Sequence, residues 1–101
     1  MSRLEAVRNL LEQDPANSRV RFMLAMEYAS AGQRTEALRE FEELAARDPD
    51  YVALYYQAGR AAEDNGDLAA ARTWYQRGIE AANRTGDRHA ASELQAALDL
   101  L

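Results

Sequence analysis

Few side chains in this sequence are of a type that does chemistry, and their spacing argues against each chemistry in turn. His89 is the only histidine and there is no cysteine, so one imidazole is offered where a zinc site needs three or four protein ligands. It reads as a surface or packed residue. Glu63-Asp64-Asn65-Gly66-Asp67 has the carboxylate density of a calcium loop. Setting Gly66 as the loop glycine, however, puts Ala61 at the first ligand position and Arg72 at the last. The stretch reads instead as a helix end with solvated acids. The paired carboxylates Glu42 and Glu43 fall on a helix face expected to meet solvent, away from any cleft. No Gly-x-Gly-x-x-Gly, phosphate-loop or His-Glu-x-x-His pattern occurs, and the serines and threonines lie mostly at expected helix caps. No catalytic constellation is present, so the reading is non-enzymatic, with no metal and no cofactor. A metal or cofactor retained on purification would reopen the enzymatic reading.

The elements are organised around Gly32 to Pro49, GQRTEALREFEELAARDP, which reads as a turn, an amphipathic helix and a stop. A shift of 34 positions takes Gly32 to Gly66, Ala37 to Ala71 and Phe41 to Tyr75. The reverse shift takes Asp48-Pro49 to Asp14-Pro15, Leu38 to Leu4 and Leu44 to Leu10. A fixed period of about 20–50 residues is the mark of stacked repeats.

Taken in order, Ser2 with Glu5 three residues on forms a capping box. Leu4, Val7, Leu10 and Leu11 then make one helical stripe, stopped at Asp14-Pro15 because the residue before a proline is pushed out of the helical region. Asn17 or Ser18 caps a second helix running to about Ala31. Val20, Leu24 and Tyr28 form one stripe on it, and Phe22, Met23 and Met26 another. Two stripes imply either a fully buried helix or one buried face beside a sticky surface. Thr35 is expected to cap a third helix with Ala37, Leu38, Phe41, Leu44 and Ala45 inward. A fourth is expected from about Tyr51 to Asn65. Gly66 fits a left-handed helix end and Asp67 caps a fifth helix carrying Ala71, Trp74, Tyr75, Gly78 and Ile79. Gly59 and Gly78 mark expected close approaches. After Thr85-Gly86, Asp87 caps a sixth helix over 88–100. Six helices of about 12–16 residues each, an ordinary length for globular proteins, leave no room for a sheet.

Composition agrees. The chain of 101 residues is 48% hydrophobic with only two prolines and five glycines, and much of the apolar content is alanine, the strongest helix former. The net charge is −5, with no basic run to attract a phosphate backbone, so nucleic acid is excluded as a partner. All twelve basic residues are arginine. Coding bias and a use for bidentate guanidinium pairing both account for that. The N-terminus lacks a signal peptide's apolar core, and no apolar run approaches the ~20 residues that span a bilayer. A soluble cytoplasmic protein without membrane association is the expectation.

Leu24, Ala25 and Tyr28, followed by Gly32, Ala37, Phe41 and Pro49, resemble one tetratricopeptide repeat (TPR). Arg21 departs where that pattern has a large residue, and Leu44-Ala45 reverses the usual small-then-large order. Tyr55, Gly59, Gly66, Ala71, Tyr75 and Gly78-Ile79 resemble a second copy, with Asn83 in place of the closing proline. The resemblance, to small bacterial proteins of the family, implies an all-α fold of antiparallel helical hairpins stacked as a right-handed superhelix. It divides one domain, residues 1–101, into an N-terminal helix (2–14), repeat 1 (18–49), repeat 2 (51–85) and a closing helix (87–101). It further implies a non-enzymatic protein-interaction module whose first helices line a concave groove. Carried over position by position, that groove holds Arg19, Phe22, Met23, Met26, Tyr56, Gln57, Arg60 and Glu63. A partner peptide or helix would fill it on apolar anchors and arginine contacts. The rival occupant is a second copy of the chain, giving a homodimer or scaffold. The carboxylate-gripping lysine, asparagine and arginine set of one subfamily is not apparent. A fragment of a longer array is a further alternative, although the half repeat at the start and the polar Gly86-Asp87-Arg88 turn read as caps.

Overall fold

The computed structural model describes residues 1–101 as six helices without a strand. They are α1 (Arg3–Gln13), α2 (Ser18–Ser30), α3 (Arg34–Arg47), α4 (Ala53–Asp64), α5 (Leu68–Thr85) and α6 (Arg88–Asp99). Their lengths run from 11 to 18 residues, a wider range than expected.

Side-chain caps start four of them. The Ser2 hydroxyl accepts from Glu5 N–H at 3.1 Å, and the Asn17 side-chain oxygen accepts from Val20 N–H at 3.1 Å. Asp67 and Asp87 do the same for Ala70 and Ala90, each at 3.0 Å. Each satisfies an N–H that the helix leaves without an internal partner. The expected Thr35 cap is not made: α3 begins at Arg34, with Gln33 at the cap position and no side-chain bond. The cause lies one turn back. Gln33 N–H is already committed to the carbonyl of Tyr28 at 2.9 Å, which carries the chain from the end of α2 directly into α3.

That 2.9 Å closure recurs at Asp67 N–H to Ala62 and at Asp87 N–H to Ala82. In each case the preceding residue is a glycine at φ 75–76°, the left-handed geometry of a Schellman helix end. The stops of α1 and α3 use proline instead. Asp14 and Asp48 end α1 and α3 in nearly the same conformation, at φ −145°. The fourth helix starts later than expected, because Tyr51 and Val52 belong to the turn in which Tyr51 N–H bonds Asp48 at 3.0 Å. With Ala82-Asn83 where α3 has Asp48-Pro49, α5 meets no proline and runs on to Thr85.

Helices α2 and α3 pair as one hairpin and α4 and α5 as another. Helix α3 packs on α4, α6 on α5, α1 on α2, and α2 touches α4 more lightly. The main core centres on Phe41, Leu44, Leu54, Tyr75 and Leu94, each under 2% exposed. A smaller cluster of Val7, Leu11 and Leu24 joins α1 to α2. Burial of these stripes, at about 25 cal/mol per Å² of apolar surface, holds helices too short to persist alone. Both close approaches occur. A Cβ on Gly59 would overlap the Tyr75 ring, and one on Gly78 would stand 2.6 Å from Tyr55 Cβ.

Helix α2 resolves the two-stripe question by being flanked on three sides. Leu24, with Val20 and Tyr28, faces α1, while Phe22 and Met26 face α3 and α4. Met23 parts from them and packs in the α1 cluster. That corrects the expected Phe22-Met23-Met26 stripe: at about 100° per residue Phe22 and Met23 diverge, and α1 draws Met23 to its own side.

Candidate functional site

Two shallow cavities follow the seam of the first helices. One, of about 210 Å³, lies between the C-terminal halves of α2 and α4. Met26, Ala29 and Ser30 form one wall, and Gln57, Arg60 and Asp64 the other. Two pairs across it come from the same repeat positions, since Met26 and Arg60, like Ser30 and Asp64, stand one full period apart. The second, of about 220 Å³, lies between α4 and α6. Val52, Ala53 and Tyr56 face Ala90, Glu93 and Leu94, with His89 at the rim.

The eight expected groove residues divide accordingly. Met26, Gln57 and Arg60 come together in the first cavity and Tyr56 in the second. Phe22 is half-buried, its ring centroid 6.2 Å from that of Phe41 and 5.5 Å from that of Tyr51. It therefore contributes packing as well as surface. Met23 faces α1, and Arg19 is exposed at the start of α2. Glu63 accepts a hydrogen bond from the Tyr75 hydroxyl, which ties it to α5. Sequence reasoning passed over Ser30, Asp64, Ala90 and Leu94. The repeat period already paired the first two, whereas the last two depend on how α6 docks.

Electrostatics at the seam are mild. Arg60 and Arg19 make no ion pair among those formed, which are Arg3–Glu27, Arg21–Glu40, Arg47–Glu43, Arg77–Glu42, Arg84–Asp50 and His89–Glu93. Burial, then donation to Glu63 and the charge of that carboxylate, push the Tyr75 hydroxyl well above the usual tyrosine range. Burial also raises Tyr55, against the pull of Arg77 and Arg84. The hydrogen bond and charge of Arg47 lower Glu43. No three His, Asp or Glu side chains gather as a metal site.

On the far side of α2, sequence reasoning missed Arg21. The residue that departs from the repeat pattern is only 8% exposed. Its Nη1 donates to Glu40 Oε1 at 2.8 Å and its Nη2 to the Pro15 carbonyl at 3.2 Å. Beside this pair lies an open cleft of about 480 Å³ between α1, α2 and α3.

Hairpins of equal period, small residues at their crossings and a seam of first helices define a helical repeat protein. The tetratricopeptide repeat family model matches residues 22–88, and the chain belongs to that family, which is non-catalytic. The TPR repeat-containing protein PA0015 of Pseudomonas aeruginosa is 31% identical over 91 residues, covering 90% of this chain and 87% of that protein. A tetratricopeptide repeat domain protein from Salinibacter ruber, solved by NMR, is 39% identical. It superposes with a TM-score of 0.79 over 84% of this chain and 86% of that one. The Yersinia enterocolitica type III secretion chaperone SycD, in complex with a peptide of the translocator YopD, superposes at 0.85 with 19% identity, over 96% and 75% of the two chains. At that identity the likeness is one of fold. No helix is long and apolar enough to cross a membrane.

Proposed function

We propose that this chain binds an extended or helical segment of a partner polypeptide along the α2–α4–α6 seam. The observation that carries the reading is the cavity that sets Met26 opposite Gln57 and Arg60. It combines an adaptable apolar anchor, an amide that can bond a peptide backbone and a guanidinium free to fork onto a carboxylate. The α4–α6 cavity continues the seam with Tyr56, Ala90 and Leu94. Family membership supports an interaction role, and the fold-level likeness to a chaperone solved with a bound peptide supports a segment as the occupant.

Selection from a random peptide library, followed by NMR mapping of the selected peptides on the full chain, tests it. The expected result is perturbation at Met26, Gln57 and Arg60, abolished by Arg60→Glu with helicity unchanged. Peptides that map away from the seam, or that bind Arg60→Glu as well as wild type, overturn it. Arg60 is exposed and Met26 half-buried, so Arg60 is the cleaner variant.

A further inference from the structure

The two repeats supply an internal comparison. At the second junction, between α3, α4 and α5, Tyr55 and Trp74 lie against each other with ring centroids 6.3 Å apart. Arg77 covers them, its guanidinium carbon 4.4 Å from the Trp74 centroid and 5.8 Å from that of Tyr55. A shift back by one period takes Tyr55 to Arg21 and Trp74 to Glu40. The aromatic pair of one junction is thus the ion pair of the other. Glu40 carries a side chain far smaller than an indole, and at this place the first junction holds its cavity of about 480 Å³.

The charges around it are exchanged as well. At the second junction Arg77 bonds Glu42 of α3 at 3.1 Å. The corresponding residues at the first are Glu43 and Arg8. Glu43 is taken by Arg47 at 2.8 Å, so Arg8 lines the cavity without a carboxylate partner. The floor is apolar, formed by Leu11, Leu24 and the Tyr28 ring, larger than Ala45, Ala58 and Ala62 at the matching positions. The opening is edged by the exposed Arg8, Glu12 and Pro15. Helix α1 brings no ring of its own: Val7 and Leu11 are committed to the cluster with Leu24.

We propose that this cavity between α1, α2 and α3 receives an aromatic side chain of a partner polypeptide, which takes the place that Trp74 occupies in the second repeat. The ring would lie on Leu24 and Tyr28, beside the buried Arg21–Glu40 pair, with Arg8 over its outer face as Arg77 lies over Trp74. Guanidinium prefers the negative face of an aromatic ring, and the polar edge at Arg8 and Glu12 leaves donors and acceptors for the backbone that carries it. The site lies on the opposite side of α2 from the α2–α4 cavity and does not depend on it.

The test titrates N-acetyltryptophanamide into the isotopically labelled full chain, followed by NMR, with N-acetylleucinamide and free indole as comparison probes. The tryptophan probe is expected to shift Arg8, Leu11, Leu24 and Tyr28 saturably, and the leucine probe to bind at least about fivefold more weakly. Arg21→Tyr/Glu40→Trp, which installs the second junction's own pair, is expected to abolish the shifts. Should that variant fail to fold, the exposed Arg8→Ala decides, with an expected weakening of about threefold to fivefold. Equal response to the leucine probe, no saturable shift at these residues, or unchanged binding in Arg8→Ala overturns the proposal. Binding by free indole but not by the blocked amino acid overturns the polypeptide source.

Discussion

The Tyr55 hydroxyl donates to the carbonyl oxygen of Pro49 at 2.5 Å, and one period earlier Arg21 donates to that of Pro15 at 3.2 Å. Two unlike side chains thus perform one task at one repeat position. Each reaches back from the first helix of a repeat to the proline that closed the preceding helix. The bond ties the turn to the hairpin through a carbonyl that lies just past the helix end, one that also accepts from Arg47 at Pro15 and from Arg84 at Pro49, each at 3.4 Å.

Removing the donors should separate their costs. Tyr55→Phe loses one hydrogen bond and keeps the ring beside Trp74, an expected loss of about 1 kcal/mol. Arg21→Met strands the largely buried Glu40 carboxylate and should cost more, roughly 2–3 kcal/mol. Urea unfolding followed by circular dichroism measures both. Equal losses would refute the pairing of Arg21 with Glu40.

The glycines divide by mechanism. Gly59→Ala drives a methyl into the Tyr75 ring and should destabilise by about 1–3 kcal/mol or more through overpacking. Gly32→Ala meets nothing within 4 Å but sits at φ +76°, so only the left-handed penalty of about 1–2 kcal/mol applies. A Gly32→Asn variant, whose side chain tolerates that region, should recover part of the loss, whereas Gly59→Asn should recover none. Thermal melts of the four variants check this.

Helix starts give a paired contrast. Asn17→Ala removes a cap bond to Val20 and should cost about 1 kcal/mol. Thr35→Ala lies at a helix start without a side-chain cap and should stay within about 0.5 kcal/mol of wild type. A larger loss at Thr35 than at Asn17 in denaturant titration would contradict the observed start of α3.

Tyr75 predicts the alkaline limb of stability. Its folded pKa is raised, first by burial and then by Glu63, while the unfolded chain titrates near ~10. Below pH ~10 both states hold the proton and the contribution is complete. As pH rises past that value the unfolded state alone releases it, so stability falls. Tyr55, raised in the same direction, adds to the decline. Tyr75→Phe should lower stability at neutral pH through the lost bond to Glu63 and flatten the decline above pH ~10. A decline as steep as wild type in denaturant titrations between about pH 9 and 11 would assign the effect elsewhere.

Much of this was legible along the chain. The recurrence of Gly32 at Gly66 and of Phe41 at Tyr75 marked the hairpins, because equal spacing demands equal packing. Gly59 and Gly78 announced the crossings, since only a missing side chain lets α4 and α5 come so close. The Ser2, Asp67 and Asp87 caps needed only neighbours within the first helical turn. Thr35 failed because the Gln33-to-Tyr28 closure puts the cap of α3 at Gln33, the repeat position of Asp67, where the glutamine makes no cap bond. Of the expected groove residues, Met26 and Arg60 share a cavity from one repeated helix position, and Gln57 joins them one turn before Arg60 on α4. Met23 turns away because α1, coming from outside the two repeats, competes for it.

By itself the sequence determined the helices, their period and their family, because capping, helix termination and apolar spacing act over a few residues and repeat. Only the tertiary structure decided which helix faces are covered, that Arg21 is buried against Glu40, and that the first junction holds a cavity where the second holds Tyr55 and Trp74. Those outcomes depend on side chains that sit on different helices, as Arg21 and Glu40 do. Volume and charge there are balanced between elements, and no local rule acting along the chain records that balance.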